Sequence, residues 1–407
     1  MEGVAVLLIV LIVARGGGWL ARWLWHSASV GEILAGVALA AVAMIAAGSV
    51  PLLDGMAESS AVLIAGEVGI FFLLLAAGVE MQPQELTDHS REAFAVALGG
   101  MVLPLGLGFA LAWAFLPESP ERGVQALVVG IGLSITAIPV TAKALMDLGL
   151  LHQPLGEIVI SAAVFDDVFG LVLLAIATSV IATGEVPDAA SFGLLAIKVV
   201  LFFAATVVFG VLVGPRLWPW VAARTLPGAM IGALLLTGLA FGLLAHGLGM
   251  HFALGPFVAG LFFEKKTAGD KAYLRTKDIL DRITLSALGP LFFASIGLRL
   301  DVTAMTTVPF FLSVLLFTAF AGKLIGAGLP AYWVGLAPRE AGAVGIAMGG
   351  RGAVELIVAS IAERAGVFDG PARDDPIVGS LFSCLVMTAI VTTLLTPLVL
   401  RWILAPR

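Results

Sequence analysis

The chain has 407 residues, 60% of them hydrophobic and 12% charged, with a formal net charge of −6. Soluble domains carry about 25% charged residues, so this composition excludes a soluble enzyme, a nucleic-acid binder and a secreted disulfide scaffold. One cysteine (Cys384), five histidines without an HExxH pair and no GxxxxGK[ST] loop argue against disulfides, a zinc site and a nucleotide, so no cofactor is expected.

A helix needs about 20 apolar residues to cross the hydrocarbon core. Runs of that kind predict spans near 4–24, 29–47, 61–79, 92–116, 123–147, 155–182, 191–214, 227–246, 247–264, 283–300, 308–335, 340–362 and 377–402, about thirteen transmembrane helices. The chain therefore reads as an all-α polytopic membrane protein whose first partner is the lipid bilayer. The first segment has no basic n-region and no A-x-A site, which makes it a retained span rather than a signal peptide. No cytoplasmic regulatory domain is expected after the last span.

Orientation follows from lysine and arginine. Fifteen of them, among them Arg22, Arg216, Lys265 and Arg401, fall on one side of the alternating loops, against Arg122, Arg299, Arg364 and Arg373 on the other. That bias places the N-terminus outside and the C-terminus in the cytoplasm of the cell (inner) membrane. Gly16–Gly18, Gly31, Gly36 and Gly48, with Trp19, Trp23 and Trp25 near an interface, mark the N-terminal spans as a surface for a homodimer and a static scaffold.

The sequence echoes itself. FFLLLAAGVEM (71–81) resembles LFFASIGLRLD (291–301), aligning Gly78 with Gly297. EILAGVALA (32–40) resembles PFVAGLFFE (256–264), aligning Gly36 with Gly260. Both offsets are near 220 residues, or seven spans, so the copies would have opposite orientation. One transmembrane transporter domain is expected, with a first repeat over 1–182 (helices 1–6), a linking helix over 191–214 and an inverted second repeat over 227–402 (helices 8–13). Inverted repeats are an architecture of secondary transporters, whose substrate site lies at the repeat interface near mid-membrane.

Ionisable groups inside spans are costly and mark ion pathways or proton relays. The fifth span, VVGIGLSITAIPVTAKALM, carries Pro139 behind Ser134 and Thr136. Proline removes a helix hydrogen bond, so a break is predicted near 134–139, where exposed carbonyls and helix ends can hold a cation. The sixth span places Asp166 and Asp167 side by side in SAAVFDDVFGLVL. Neighbours on a helix point about 100° apart, so the two carboxylates have different roles. The eleventh span carries Lys323, and the twelfth carries Arg351 and Glu355 in GGRGAVEL, where Gly349, Gly350 and Gly352 predict a second break. Glu67 and Lys198 lie nearer the ends of their spans. The two broken spans stand about 215 residues apart, close to the repeat offset, and are expected to cross.

SITAIP, then FDD, then GKLIGAG, then GGRGAVELIVAS resemble the second branch of the monovalent cation:proton antiporters, which includes NapA-like sodium/proton exchangers and Kef-type potassium systems. GEILAG (31–36), GVEM (78–81), HFALGPFVAGLFF (251–263) and PLFFASIGLRLD (290–301) fit the same family, and the likeness covers nearly the whole chain. It implies a dimer in which a core domain with two crossing broken helices moves like an elevator against a dimerisation domain. It also implies that Asp167 binds the monovalent cation or the proton, and that Asp166 pairs with Lys323. By the same likeness Ser134 and Thr136 coordinate through oxygen, and Arg351 and Glu355 form an ion-pair network. Kef systems have Gln where this chain has Asp166, which favours the NapA-like reading.

The expected activity is an exchange of Na⁺, with Li⁺ as a further substrate, for protons. The family pattern of Asp-Asp with lysine makes it electrogenic. A proton on Asp167 removes the ionised ligand that a cation needs, so the two exclude each other at one site; Asp166, Asp167 and Lys323 titrate as a coupled group. A K⁺/H⁺ antiporter or K⁺ efflux system is the alternative. A cation channel would need a filter loop such as TVGYG, which is absent. A carrier of organic solutes would need an aromatic-lined cavity, and no aromatic residue flanks 134–139.

Overall fold

The computed structural model describes residues 2–24, 28–45, 56–80, 90–136, 145, 153–183, 189–224, 226, 228–250, 252–351, 353–369 and 372–404. In chain order the helices are α1 (Glu2–Trp23), α2 (Ala28–Ile45), α3 (Ser60–Glu80), α4 (Ser90–Phe115), α5 (Arg122–Ser134), α6 (Pro154–Thr183), α7 (Ala189–Val208), α8 (Gly214–Ala222), α9 (Ala229–Gly247), α10 (Leu254–Leu261), α11 (Asp270–Ile283), α12 (Gly289–Arg299), α13 (Pro309–Trp333), α14 (Pro338–Ala347), α15 (Ala353–Arg364) and α16 (Pro376–Leu404). No strand occurs among the described residues. Proline opens α6, α13, α14 and α16, where its missing N–H has no intrahelical partner to lose.

Among the described residues, nine helices are long and apolar enough to cross a membrane. They coincide with the first four expected spans and with the seventh, eighth, tenth, eleventh and thirteenth. The sixth runs as one 30-residue helix. The remaining three are short or interrupted. α5 has 13 residues, α10 has 8, and the twelfth span is divided between α14 and α15.

Two compact units divide the chain, and each draws on both halves: Met1–Gln82 with Ala189–Leu300, and Pro83–Asp188 with Asp301–Arg407.

In the first unit, helices pack by close backbone approach. A Cβ on Gly36 would run into Ala294 O, and one on Gly297 into Ile33 O, so α2 and α12 touch through these two glycines. Gly78 and Gly260 do the same for α3 and α10, against Phe257 O and Leu75 O. Lipid supplies no hydrophobic drive between helices, so small residues that let backbones meet carry the packing.

Two π turns also belong to this unit, Phe209–Val213 and Thr284–Leu288, and each runs into a Gly-Pro pair, Gly214–Pro215 and Gly289–Pro290. Gly289 N donates to Thr284 O, five residues back. Pro290 has no N–H to continue that pattern to Leu285 O. The guanidinium of Arg15, from α1, fills the vacancy, its Nη1 donating to Leu285 O at 2.8 Å.

In the second unit, α4 lies along α13, with a Cβ on Gly99 running into Gly326 O and one on Gly322 falling 3.2 Å from Pro104 Cα. The core is built from small side chains, including Ala93 and Ala97 of α4, Ala162 of α6, Ala327 and Ala331 of α13, and Ala341, Ala343 and Ala347 of α14. Close packing on both sides of α13 fixes the position of Lys323, one turn from Gly326.

Gly260→Ala is expected to destabilise the protein by about 1–3 kcal/mol, since its Cβ meets backbone that cannot yield without a helix shift. Gly16→Ala, with nothing within 4 Å of the new Cβ, is expected to be neutral or slightly stabilising. Thermal unfolding of the two purified variants in one detergent checks the contrast.

Candidate functional site

α5 stops at Ser134. Ile135 is extended (φ −77°, ψ 142°), and Thr136 continues outside the helix. The predicted break therefore opens at 134–136; Pro139 lies outside the described residues. The second interruption separates Ala347, at the end of α14, from Ala353, at the start of α15. The two interruptions meet, because Thr136 Oγ1 donates to Met348 O at 3.0 Å.

A helix ends with carbonyls that have no intrahelical donor. At the end of α5 these are met by two buried cations. Lys323 Nζ donates to Ser134 O and, at 2.7 Å, to Thr136 Oγ1. Arg351 donates from Nη1 to Gly132 O and from Nη2 to Leu133 O, the latter at 2.9 Å. The negative end of the α5 dipole thus faces two positive charges, the favourable arrangement. On the other side of the break, Thr136 N donates to Asp166 Oδ2 at 2.8 Å, and Asp166 Oδ1 stands 3.6 Å from Lys323 Nζ.

Lys323 and Asp166 are 1% and 2% exposed. Arg351 and Glu355 form a second buried ion pair at 3.2 Å, one turn apart across the start of α15. Gly132 leaves room for it, since a Cβ there would fall 3.2 Å from Leu385 Cδ2 and 3.8 Å from Glu355 Oε1. Ser134 turns its hydroxyl back to Ile131 O at 2.7 Å, so what it presents to Lys323 is its carbonyl. Asp167 follows Asp166 on α6, and its side chain lies outside the described residues. Among the described residues no cluster of three or more His, Cys, Asp and Glu could hold a metal ion. What the site offers instead is a junction of helix ends, hydroxyl and carbonyl oxygens and one lysine–carboxylate pair.

Residues 6–405 match the family model described as sodium/hydrogen exchanger, transmembrane. The chain belongs to this family. Among relatives, it is 27% identical to the Na(+)/H(+)-K(+) antiporter GerN of Bacillus cereus over 97% of this chain and 94% of that protein. It is 30% identical to Cation/H(+) antiporter 15 of Arabidopsis thaliana, over 81% of this chain but only 40% of that protein's length. Its fold is similar to that of the sodium proton antiporter MjNhaP1 from Methanocaldococcus jannaschii, with a TM-score of 0.76 over 99% of this chain and 98% of that one, at 16% identity. An exchanger family of integral membrane proteins agrees with the apolar helices and with an intramembrane charge pair at broken helices.

One contributor was not foreseen from the sequence. Thr393 of α16 donates from Oγ1 to Arg351 O at 2.9 Å, fixing the second interruption from behind. Its signal was available as Thr388, Thr392, Thr393 and Thr396 at helical spacing in an otherwise apolar segment. The Met348, Gly132 and Leu133 carbonyls carry no residue-type signal at all.

Removing one member of a buried ion pair strands the other, at a cost of about 3–5 kcal/mol. Arg351→Met should therefore destabilise strongly, and adding Glu355→Met should recover part of the loss. Thermal unfolding decides it. A double variant no more stable than the single one would mean that Arg351 acts through the Gly132 and Leu133 carbonyls rather than through Glu355.

Proposed function

We propose that this protein is a secondary antiporter that exchanges a monovalent cation, Na⁺ with Li⁺ as a further substrate, for protons, and that the exchange is electrogenic. The observation that carries the reading is the buried Asp166–Lys323 pair seated on the end of α5, in a chain of the sodium/hydrogen exchanger family. Asp166 is engaged by Thr136 N and Lys323, so the reading gives the cation or proton to Asp167 and makes Asp166 the partner of the lysine. Thr136 and the Ser134 carbonyl supply oxygen ligands when Lys323 withdraws. Because cation and proton compete for one carboxylate, occupancy by one requires departure of the other, and an inward proton gradient drives cation efflux.

The residues of the constellation described above belong to a single compact unit, so the site can travel intact. This supports an elevator motion in which that unit moves and the other is the static scaffold of a homodimer. The proposed orientation has the N-terminus outside and the C-terminus in the cytoplasm, in the cell (inner) membrane. GerN, whose name joins sodium and potassium, is similar over almost its full length. That similarity favours K⁺/H⁺ exchange as the second reading.

Reconstitution into liposomes carrying a pH-sensitive dye, with Na⁺, Li⁺ and K⁺ added in turn, tests the substrate. Dissipation of the pH gradient by Na⁺ and Li⁺ but not K⁺ is expected; response to K⁺ alone selects the second reading, and response to none overturns both. Asp167→Asn should abolish exchange in a well-folded protein, and normal transport by that variant would refute the assignment. Asp166→Asn should lower thermal stability and change the number of charges moved per cycle. Full stability with unchanged voltage dependence would show that the Asp166–Lys323 pair is not part of the machinery.

A further inference from the structure

We infer that Thr393 of α16 is a positioning residue for the exchange site: by holding the Arg351 carbonyl it sets how tightly the cation is bound, a role that rests on the exchange reading above. A threonine inside a helix ordinarily turns its hydroxyl back onto a carbonyl three or four residues earlier. Thr388 does so, donating to Cys384 O at 2.7 Å, and so does Thr392, donating to Thr388 O at 2.8 Å. Thr393, 7% exposed, departs from that habit. Its Oγ1 leaves its own helix and donates to Arg351 O at 2.9 Å, across to the second interruption.

Thr396 follows three residues on, on the same face of α16. Its hydroxyl is fully buried and has no hydrogen-bond partner among the described residues, and a Cβ on Gly349 would fall 3.8 Å from it. Thr393 stands at Arg351 and Thr396 at Gly349, so α16 runs along the back of the interruption with one hydroxyl engaged and one open. The front of the same segment is held by Thr136, whose Oγ1 donates to Met348 O at 3.0 Å. Gly349 and Gly350 bring no side chain of their own, so hydroxyls from outside fix the path of this backbone.

Arg351 carries that constraint to the site. Its guanidinium donates to Gly132 O and Leu133 O, which leaves the next carbonyl, Ser134 O, to Lys323. Successive carbonyls at the end of α5 are thus shared between an arginine whose backbone Thr393 fixes and the lysine that an arriving cation would displace. Thr136 Oγ1, the other oxygen of the proposed site, is oriented by Met348 O, three residues before Arg351. Without the Thr393 hydroxyl the interruption loses its hold from behind, and both oxygens lose part of their fixed placement. Looser placement of ligands weakens binding rather than slowing a later step.

The test measures initial exchange rates in proteoliposomes over a range of Na⁺, or of K⁺ if that is the ion the parent protein moves, with thermal unfolding as the check of folding. Thr393→Val keeps the branched shape and removes the hydroxyl. Its KM for the cation should rise about two- to tenfold, the worth of one hydrogen bond, while kcat stays within about twofold of the parent. Thr393→Ser should return KM to the parent value. The control Thr392→Val, whose lost hydroxyl bonds only to its own helix, should match the parent. If Thr393→Val does not fold, Thr393→Ala is compared with Thr393→Ser in its place. An unchanged KM in the folded variant, a loss confined to kcat, an equal rise in the control, or no rescue by serine would each overturn the role. A parent that moves none of Na⁺, Li⁺ and K⁺ fails the exchange reading and takes this role with it, whereas an active parent indifferent to Thr393→Val overturns this role alone.

Discussion

Interrupting a helix inside a bilayer leaves backbone carbonyls and N–H groups that no water can satisfy, and each costs several kcal/mol. A buried lysine or carboxylate has the same difficulty in reverse. In this protein the two problems solve each other. Ser134 O takes Lys323, Gly132 O and Leu133 O take Arg351, Thr136 N takes Asp166, Met348 O takes Thr136, and Arg351 O takes Thr393. The breaks need the charges, and the charges need the breaks. That mutual dependence explains why Asp166, Lys323, Arg351 and Glu355 converge in one unit rather than being scattered through the spans.

The first unit is held by different means. Its closest contacts are glycine against backbone, at Gly36–Ala294, Gly297–Ile33, Gly78–Phe257 and Gly260–Leu75. Such contacts leave little room for side chains to rearrange. The second unit has glycine contacts and an alanine-rich core of its own, and beside them stands a buried, hydrogen-bonded cluster of charges. Lys323 touches three groups within reach of one ammonium, Asp166, Ser134 O and Thr136 Oγ1. On the proposed reading, a cation arriving at these oxygens would compete with the ammonium already there, and that competition would couple ion binding to a change of charge state.

Much of this was legible in the sequence because membranes make hydropathy and charge unusually informative. Among the described residues, nine helices long and apolar enough to cross a membrane coincide with predicted spans, α6 matches a tenth, and α5 ends at Ser134 within the predicted break. The pairs Lys323–Asp166 and Arg351–Glu355 join residues that stood out because the bilayer tolerates so few charges. What could not be read was how backbone and hydroxyl groups are shared. The sequence points to an oxygen of Ser134 without saying which one; its hydroxyl closes on its own helix, and its carbonyl faces Lys323. Residue type does not reveal which carbonyl is left over when a helix ends. The ninth span was read as one helix over 247–264, but α10 occupies only Leu254–Leu261, after a turn with Gly249 at φ +82°. The π turns before Pro215 and Pro290 were equally hidden, since proline predicts a disturbance without saying that a fifth residue will be drawn into the turn.

The glycine contacts bear on the proposed inverted repeat. In sequence, Gly36 aligns with Gly260 and Gly78 with Gly297. In space the partners are exchanged: α2 meets α12 through Gly36 and Gly297, and α3 meets α10 through Gly78 and Gly260. A two-fold relation between the copies requires this exchange, because carrying α2 onto α10 and α3 onto α12 turns one contact into the other. The pattern is the one that the proposed repeat would produce. At an offset of 220 residues Lys323 aligns with Leu103 and Asp166 with Val386. At that offset neither member of the ion pair meets a charged residue. The buried pairs Asp166–Lys323 and Arg351–Glu355 thus belong to one unit of the fold, while these four glycine contacts belong to the other.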